Sequence, residues 1–270
     1  MVVVSGSFDD FRSRHVRFLH EASRLGELHL LLWSDRVAQA LEGKEPRFPQ
    51  EERRYLLQAV RYVSRLTLVT DLSEPDALPL SAETNPGIWV VEQADDNAGK
   101  RAFARRHGID YRVLAPEEMR GFPWEDENGQ DTASGPKVLA TGCYDWLHSG
   151  HVRFFEEVSQ LGALYVVVGH DDNIQLLKGG SHPMLSQEER RYMVGAMRYV
   201  HRALITSGKG WMDAEPEVAR IRPDIYVVNE DGDRPEKRAF CAERGLRYVV
   251  LKRTPKDGLR KRQSTDLRGY

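Results

Sequence analysis

Gly142-Cys143-Tyr144-Asp145-Trp146-Leu147-His148-Ser149-Gly150-His151 follows the apolar run Val138-Leu139-Ala140 and leads into an amphipathic segment from Val152. Read locally, the stretch is a strand, a glycine turn and a helix entrance carrying two imidazoles. Such an entrance suits phosphate. Free backbone N–H groups at a helix start attract an anion, Gly150 lets the backbone come close, and His148 and His151 can donate from two directions. The alternative is an ordinary strand–turn–helix connection with two surface histidines, so the rest of the chain has to decide.

The first half of the chain repeats the second. Gly6-Ser7-Phe8-Asp9 through His15-Val16-Arg17-Phe18 aligns without a gap on Gly142-Cys143-Tyr144-Asp145 through His151-Val152-Arg153-Phe154. Gln50 to Tyr55 matches Gln187 to Tyr192, Arg61-Tyr62-Val63 matches Arg198-Tyr199-Val200, and Lys100 to Phe103 matches Lys237 to Phe240. Self-similarity of this length means two copies of one domain. The copies span 1–115 and 137–270; the 116–136 stretch between them, rich in Pro, Gly and acidic residues without periodicity, reads as a linker, with Phe122 and Trp124 packed on a domain face.

Each copy alternates strand and helix. In the second, strands are expected at 137–141, 164–170, 202–206, 225–229 and 248–251, with helices at 150–161, 186–199, 215–221 and 234–244. Ser186 and Glu189 form a capping box at the start of the second of these helices. Near-continuous apolar strands such as 164–168 suit a parallel sheet covered on both faces. The alternation predicts an α/β fold of tandem doubly wound sheets whose ligand crevice lies beyond the carboxyl ends of the strands, where the Gly142 loop falls.

Composition narrows the partners. Of 270 residues 40% are hydrophobic and 30% charged, and the net charge is −2, so nothing draws the chain toward nucleic acid or an acidic membrane surface. No run approaches the ~20 apolar residues of a bilayer span. Met1-Val2-Val3-Val4 is too short and lacks the basic flank of a signal peptide. Cys143 and Cys241 make neither a disulfide framework nor a zinc site, which suits a reducing cytoplasm, and Cys143 reads as a structural thiol.

The decisive string resembles the H-x-G-H signature of the cytidylyltransferase-like nucleotidyltransferases, in its fuller form G-x-[FY]-D-x-x-H-x-G-H, at Gly142, Tyr144, Asp145, His148, Gly150 and His151. Lys178-Gly179 lies where that family carries a lysine loop, Arg198-Tyr199-Val200 resembles its R-Y-V segment, and Arg253-Thr254 with Ser264-Thr265 resembles its closing R-T-x-G-x-S-T motif. The resemblance covers 137–270 and implies a Rossmann-like nucleotidyltransferase fold. The tandem arrangement is similar to the ethanolamine-phosphate cytidylyltransferases, and the second half also to the glycerol-phosphate enzymes. Two departures stand out: the closing motif is stretched by a basic insertion, and the earlier half, not the later, lacks it.

The resemblance implies transfer of CMP from CTP, with Mg²⁺, to a small phosphorylated alcohol, polyol or sugar, releasing pyrophosphate. His148 and His151 would hold the α- and β-phosphates, Lys178 the transferring or acceptor phosphate, and Arg253 would add charge. Gly142, Cys143, Tyr144, Asp145, Gly150, Arg198, Glu230, Ser264 and Thr265 would bind the nucleotide, Asp145 by shaping its own loop. Glu230, Asp231 and Asp233 would hold Mg²⁺ through water, bond the nucleotide, or form a solvated acidic loop; no residues are assigned as direct metal ligands. An ATP-dependent adenylyltransferase and a non-catalytic nucleotide-binding regulator are the alternatives.

The copies are chemically unequal. Arg12 stands for His148, Arg14 for Gly150 and Glu42 for Lys178, and nothing answers the 262–266 stretch. The first copy is therefore expected to be an inactive partner, paired with the second as an intrachain pseudo-dimer; a different anion site at Arg12 and Arg14 is the rival reading.

Overall fold

The computed structural model describes residues 1–81, 86–123 and 133–267; Trp124 and the side chains of Thr265 and Asp266 lie outside the described part. The chain divides into two compact units, Met1–Gly121 and Phe122–Tyr270.

In the first unit the order is β1 (Val2–Gly6), α1 (Ser13–Ser23), β2 (Leu28–Trp33), α2 (Asp35–Glu42), α3 (Gln50–Gln58), β3 (Arg65–Val69), β4 (Ile88–Glu92), α4 (Ala98–Arg106) and β5 (Asp110–Leu114). The second runs β6 (Lys137–Gly142), α5 (Ser149–Val158), β7 (Ala163–Val168), α6 (Asp171–Lys178), α7 (Gln187–Gly195), β8 (Arg202–Ile205), α8 (Glu215–Ile221), β9 (Ile225–Asn229), α9 (Pro235–Glu243) and β10 (Arg247–Leu251).

The described strands form sheets of order β3-β2-β1-β4-β5 and β10-β9-β6-β7-β8. All pairings are parallel. This is the expected doubly wound topology, and in each sheet the order reverses beside the strand that feeds the glycine loop. Alternate residues feed opposite layers: Leu139, Tyr165, Val167, Tyr226 and Val228 share one core with Phe240 and Cys241 of α9. Among the described residues, no helix is long and apolar enough to cross a membrane.

Several boundaries differ from the sequence reading. The helix expected over 150–161 ends at Val158 and continues as a 3-10 turn, Ser159–Leu161. Ser186 caps α7 by accepting the Glu189 N–H at 3.2 Å, but that helix stops at Gly195. Helix α6 was not expected: Asp171–Lys178 is too short to show a full apolar stripe, and it leaves Leu176 and Leu177 exposed. Lys178 is thus the last residue of a helix, ended by Gly179 at φ 93°, and not a loop residue. The stretch read as a linker begins with a 3-10 turn, Pro116–Met119, whose Glu118 and Met119 carbonyls accept from Arg17 of α1. Phe122 packs on Tyr192 with ring centroids 5.7 Å apart.

One side chain fastens the functional end of each sheet. Arg190 of α7, 0% exposed, donates to Leu185 O at 3.0 Å, Cys143 O at 2.6 Å, Gly169 O at 2.7 Å and Asp171 Oδ1 at 2.6 Å. It joins the loops after β6 and β7 to the starts of α6 and α7. Arg53 does the same in the first unit, to Phe48 O, Ser7 O, Trp33 O and Asp35 Oδ1. Removing either guanidinium strands buried carbonyls and a carboxylate, so Arg190→Ala and Arg53→Ala should each destabilise their own unit by about 3–5 kcal/mol. Urea unfolding checks this; a loss below about 1 kcal/mol would contradict the role.

Candidate active site

Strand β6 ends at Gly142, and two residues on the backbone turns left-handed at Tyr144, φ 53°. The Tyr144 ring folds back over Gly142, where a Cβ would lie 2.8 Å from it, so only glycine fits beneath. That ring meets His151 edge-on at 5.2 Å and Phe155 at 5.4 Å. Phe8 repeats the left-handed turn in the first unit, φ 48°. A strained aromatic residue kept at both positions marks a turn that the surrounding packing enforces.

Asp145 was expected to brace its own loop. Instead its buried carboxylate reaches across: Oδ1 accepts from Met184 N at 2.7 Å and Leu185 N at 3.0 Å, and Oδ2 lies 3.4 Å from His182 Nδ1. It ties the glycine loop to the segment after α6, as Asp9 does with Arg47 N and Phe48 N. Cys143 is half-buried, and burial pushes its thiol up, away from thiolate chemistry.

His148 is the N-cap of α5 and is 2% exposed. Its Nδ1 accepts the Gly150 N–H at 3.1 Å, which puts the ring proton on Nε2. That Nε2 is buried without a hydrogen-bond partner among the described residues, as is Nδ1 of His151, whose ring stacks on His148 at 4.0 Å. Burial, with His151, Arg253 and Arg262 behind it, holds His148 well below the ordinary histidine pKa. Burial and then Arg253 push His151 down to about 4. Two neutral imidazoles therefore stand at a helix N-terminus with unused ring nitrogens.

Gly150 keeps that arrangement possible. A Cβ there would sit 2.9 Å from His148 Cε1 and 3.5 Å from Arg262 O. Around it, Arg253 donates to Asp231 Oδ2 at 2.7 Å and Arg262 O at 3.0 Å, and Glu230 accepts from Arg253 N at 3.2 Å. The inserted basic segment is anchored to α5 by Lys256 and Glu156 at 2.9 Å. Ser264 opens a 3-10 turn, Ser264–Leu267, with its hydroxyl 3.5 Å from Trp146 O.

A cavity of about 860 Å³ opens beside this loop, lined by residues 141–146 and by His151, Lys178, Asp231, Lys237 and Ser264. Its volume is in the range of small-molecule sites. The structure thus brings Gly142, Cys143, Tyr144, Asp145, His151, Lys178 and Ser264 to one cavity. His148 lies behind His151, and Gly150 and Arg253 line a smaller recess next door. Arg198 is exposed and, like Glu230, lies outside the lining of the large cavity.

Among proteins of known family, the cytidylyltransferase-like family model matches residues 3–134 and 139–255. The chain belongs to the cytidylyltransferase-like family. An FAD synthase of Aciduliprofundum boonei is 35% identical over 49% of this chain and 84% of its own length. One from Picrophilus torridus is 32% identical over 49% of this chain and 93% of its own. Relatives matched nearly end to end by half of this chain are the size of one unit. A lipopolysaccharide core biosynthesis protein from Thermoplasma volcanium aligns over 45% of this chain and 98% of its own, with 26% identity and a TM-score of 0.38.

Within this cytidylyltransferase-like chain the first unit keeps a cavity of about 740 Å³ but refits it. His15 Nδ1 now accepts from Arg12 N at 3.0 Å, taking a capping bond where His151 has none. Its ring lies between Phe8 and Phe11, each at 5.8 Å, and burial, then Arg14 and Arg12, push its pKa to about 3. Arg12 pairs with Asp10 at 3.0 Å. Glu42 lines the cavity at the position of Lys178, with Lys44 beside it.

Sequence reasoning missed Arg190, α6 and the polar wall formed by Asn173, Thr206 and Asp213. The matched Gln50–Tyr55 and Gln187–Tyr192 runs were the available signal for the arginine, since an exposed helix face has no reason to repeat Glu-Arg-Arg in register.

Two outcomes follow from the imidazole geometry. Gly150→Ala should displace His148 and lower turnover at least tenfold while the fold persists, read by steady-state kinetics and circular dichroism. The unfolded chain binds more protons than the folded one below the ordinary histidine value of 6.5, so the second unit should lose stability as pH falls from there toward about 4. Urea midpoints measured across that range test this; the same slope in a His148→Gln/His151→Gln protein would contradict it.

Proposed function

We propose that the second unit is the catalytic one and transfers a nucleoside monophosphate from a nucleoside triphosphate to a phosphorylated acceptor, releasing pyrophosphate. The observation that carries this is the pair of buried, neutral imidazoles with unpartnered ring nitrogens at the start of α5. Leaving such an atom unpaired costs about 1–3 kcal/mol, and a phosphate oxygen accepting from His148 Nε2–H would remove that cost. In this reading His148 Nε2–H donates to a phosphate oxygen, while His151, Arg253 and Lys178 supply further contact and charge as pyrophosphate departs. The acceptor's phosphate oxygen attacks the α-phosphorus directly, and the bond to pyrophosphate breaks without a covalent enzyme intermediate.

ATP stands first as the donor in this proposal, because the FAD synthase relatives bear the name of an adenine dinucleotide product. A flavin mononucleotide acceptor goes with that reading, and the apolar wall of Trp146, Leu177, Met184 and Trp211 suits a flat aromatic body. CTP with a phosphorylated alcohol, polyol or sugar is the second reading, favoured by the combination of Tyr144, Asp145, the two histidines and Arg198-Tyr199-Val200. A regulator without turnover has no use for groups aimed at a departing pyrophosphate.

Mg²⁺ would enter as the counter-ion of the triphosphate: among the described residues no cluster of three His, Cys, Asp or Glu side chains forms a metal site, and Asp145 and Asp231 are already engaged. The first unit is proposed as an inactive companion in an intrachain pseudo-dimer. A reducing cytoplasm suits the free thiols Cys143 and Cys241.

Pyrophosphate release from ATP, CTP, GTP and UTP with a phosphorylated acceptor panel tests the reading. His148→Ala and His151→Ala should each lower kcat by about 10²–10³-fold, with a much smaller loss of nucleotide affinity, and His15→Ala should leave kcat within about twofold. Equal losses from His15→Ala would overturn the assignment of the active unit.

A further inference from the structure

The wall of the large cavity over the ends of β7 and β8 carries a polar assembly that the nucleotidyl-transfer reading does not use. Asp213 lines the cavity. Its Oδ2 accepts from Asn173 Nδ2 at 2.9 Å and from Thr206 Oγ1 at 2.8 Å. Asn173 is buried and clamps the backbone beyond β8 as well, accepting from Gly210 N at 2.8 Å and donating to Gly210 O at 3.0 Å. Thr206, also buried, accepts from His170 N at 2.9 Å, and its oxygen lies 3.0 Å from His170 Nδ1. One oxygen of Asp213 is therefore held from two sides. The other, Oδ1, makes no hydrogen bond among the described residues, and the residue is only partly buried.

The first unit serves as an internal control. Counting from the aligned strands, Asn173 corresponds to Val37, Thr206 to Val69 and Gly169 to Trp33. Val37 and Val69 are buried and carry no polar atom that could hold a carboxylate. The counterpart of Asp213, Asp76, has turned away to accept from Asn97 Nδ2 at 2.8 Å. A Cβ on Gly169 would lie 3.2 Å from Ile174 and 3.6 Å from Asp213 Oδ2, so the second unit has no side chain beside the carboxylate where the first carries Trp33. All these differences remove the same feature, a fixed hydrogen-bond acceptor facing an open space. The scaffold residues Arg53 and Asp9 stay in place. The polar wall thus follows the unit that keeps the imidazoles, and fold alone does not require it.

Topology says which substrate the wall faces. In the order β10-β9-β6-β7-β8, the glycine loop follows the central β6. Arg253, Arg262 and Ser264 come from the segment after β10, on one side of it. Lys178, Asn173, Thr206 and Asp213 follow β7 and β8, on the other. With the triphosphate gripped from the β10 side, the half of the crevice over β7 and β8 is left for the acceptor.

We propose that Asp213 selects the acceptor, its Oδ1 accepting a hydrogen bond from a hydroxyl or N–H group on the body of that molecule. Asn173 and Thr206 are positioning residues that fix the carboxylate. A carboxylate on a cavity wall discriminates, because an acceptor lacking the donor would desolvate it without compensation. The acceptor is then a phosphorylated compound with an apolar or aromatic body, to lie against Trp211 and Ile174, and at least one hydrogen-bond donor apart from its phosphate. This inference rests on the nucleotidyl-transfer reading and adds the chemical class of the second substrate.

The test uses the full chain and Asp213→Asn. Asparagine can still accept from Asn173 and Thr206 through its oxygen but turns an NH₂ toward the cavity, reversing the polarity of the group the acceptor meets. Matched acceptors are compared by pyrophosphate release: glycerol phosphate with propyl phosphate, ethanolamine phosphate with ethyl phosphate, and flavin mononucleotide with its N3-methyl form. Calorimetry gives the affinity for ATP and CTP separately. The donor-bearing member of the active pair should be preferred by tenfold or more. Asp213→Asn should raise its KM at least tenfold, with kcat and nucleotide affinity within about twofold. Asn173→Val/Thr206→Val, which installs the first unit's residues, should reproduce the KM effect, and Thr206→Ser should restore it.

An unchanged KM in Asp213→Asn overturns the proposal, and so does a matching loss of nucleotide affinity, which would assign the carboxylate to the donor. If no acceptor supports turnover but calorimetry shows one bound in the presence of nucleotide and weakened by Asp213→Asn, the activity reading fails and the Asp213 site stands. If none binds, both fail.

Discussion

A guanidinium sealed inside the protein is the constraint on which the functional end of each unit depends. Arg190 ties Cys143 O, Gly169 O and Leu185 O to the carboxylate of Asp171, and Arg53 repeats the pattern. Burying a charge is costly unless its donors are all engaged, and here the partners come from separate loops. The result is specificity of arrangement: the loops after β6 and β7 cannot drift apart without stranding a charge in the interior. Asp145 adds a second tie, between the glycine loop and the approach to α7. With these in place, Tyr144 can be held in a left-handed conformation and the imidazoles held at a fixed distance from it.

Because each unit carries its own arginine and aspartate ties, chemistry and fold separate cleanly. The first unit has exchanged His148 for Arg12 and Gly150 for Arg14, and the two exchanges are linked by geometry. A side chain at 150 collides with the imidazole at 148, so a bulky residue at the one position is tolerated once the histidine at the other is gone. His15 accepts the N–H of the N-cap residue Arg12 itself, a different donor from the Gly150 N–H that His148 caps. The first helix start therefore pairs its histidine Nδ1 where the second leaves that of His151 open.

Much of this was legible in the sequence, and the part that was not shares a cause. The repeat, the doubly wound order and the glycine loop could be read because each demands particular residue types at fixed spacing: glycine under an aromatic ring, aspartate next to it, histidine at the helix entrance. Arg190 could not be distinguished from Arg191 in a charged helical run, since only the crossing of three loops shows which guanidinium has carbonyls to meet. Helix α6 escaped because an eight-residue helix with two exposed leucines has too little apolar stripe to announce itself. Arg198 fits a family motif in sequence, yet its side chain is exposed and outside the cavity lining. Asp213 had no local signal at all, being one acidic residue whose meaning comes from partners about 40 and 7 positions away.

The contrast between the units also gives a physical marker for function that needs no catalytic motif. Natural folds satisfy their buried polar atoms, and departures are tolerated where binding supplies the missing partner. At the second glycine loop, His148 Nε2 and His151 Nδ1 are buried and unpaired, and Asp213 Oδ1 faces an open cavity. At the first, His15 Nδ1 is paired, Asp76 is turned to Asn97, and valines replace the groups that would hold it in place. The second unit retains local frustration that the first does not show. Ligand binding should therefore stabilise the second unit by more than contact area alone predicts, because a phosphate oxygen accepting from His148 Nε2–H and a donor group meeting Asp213 Oδ1 would each satisfy an atom that the empty fold leaves in deficit.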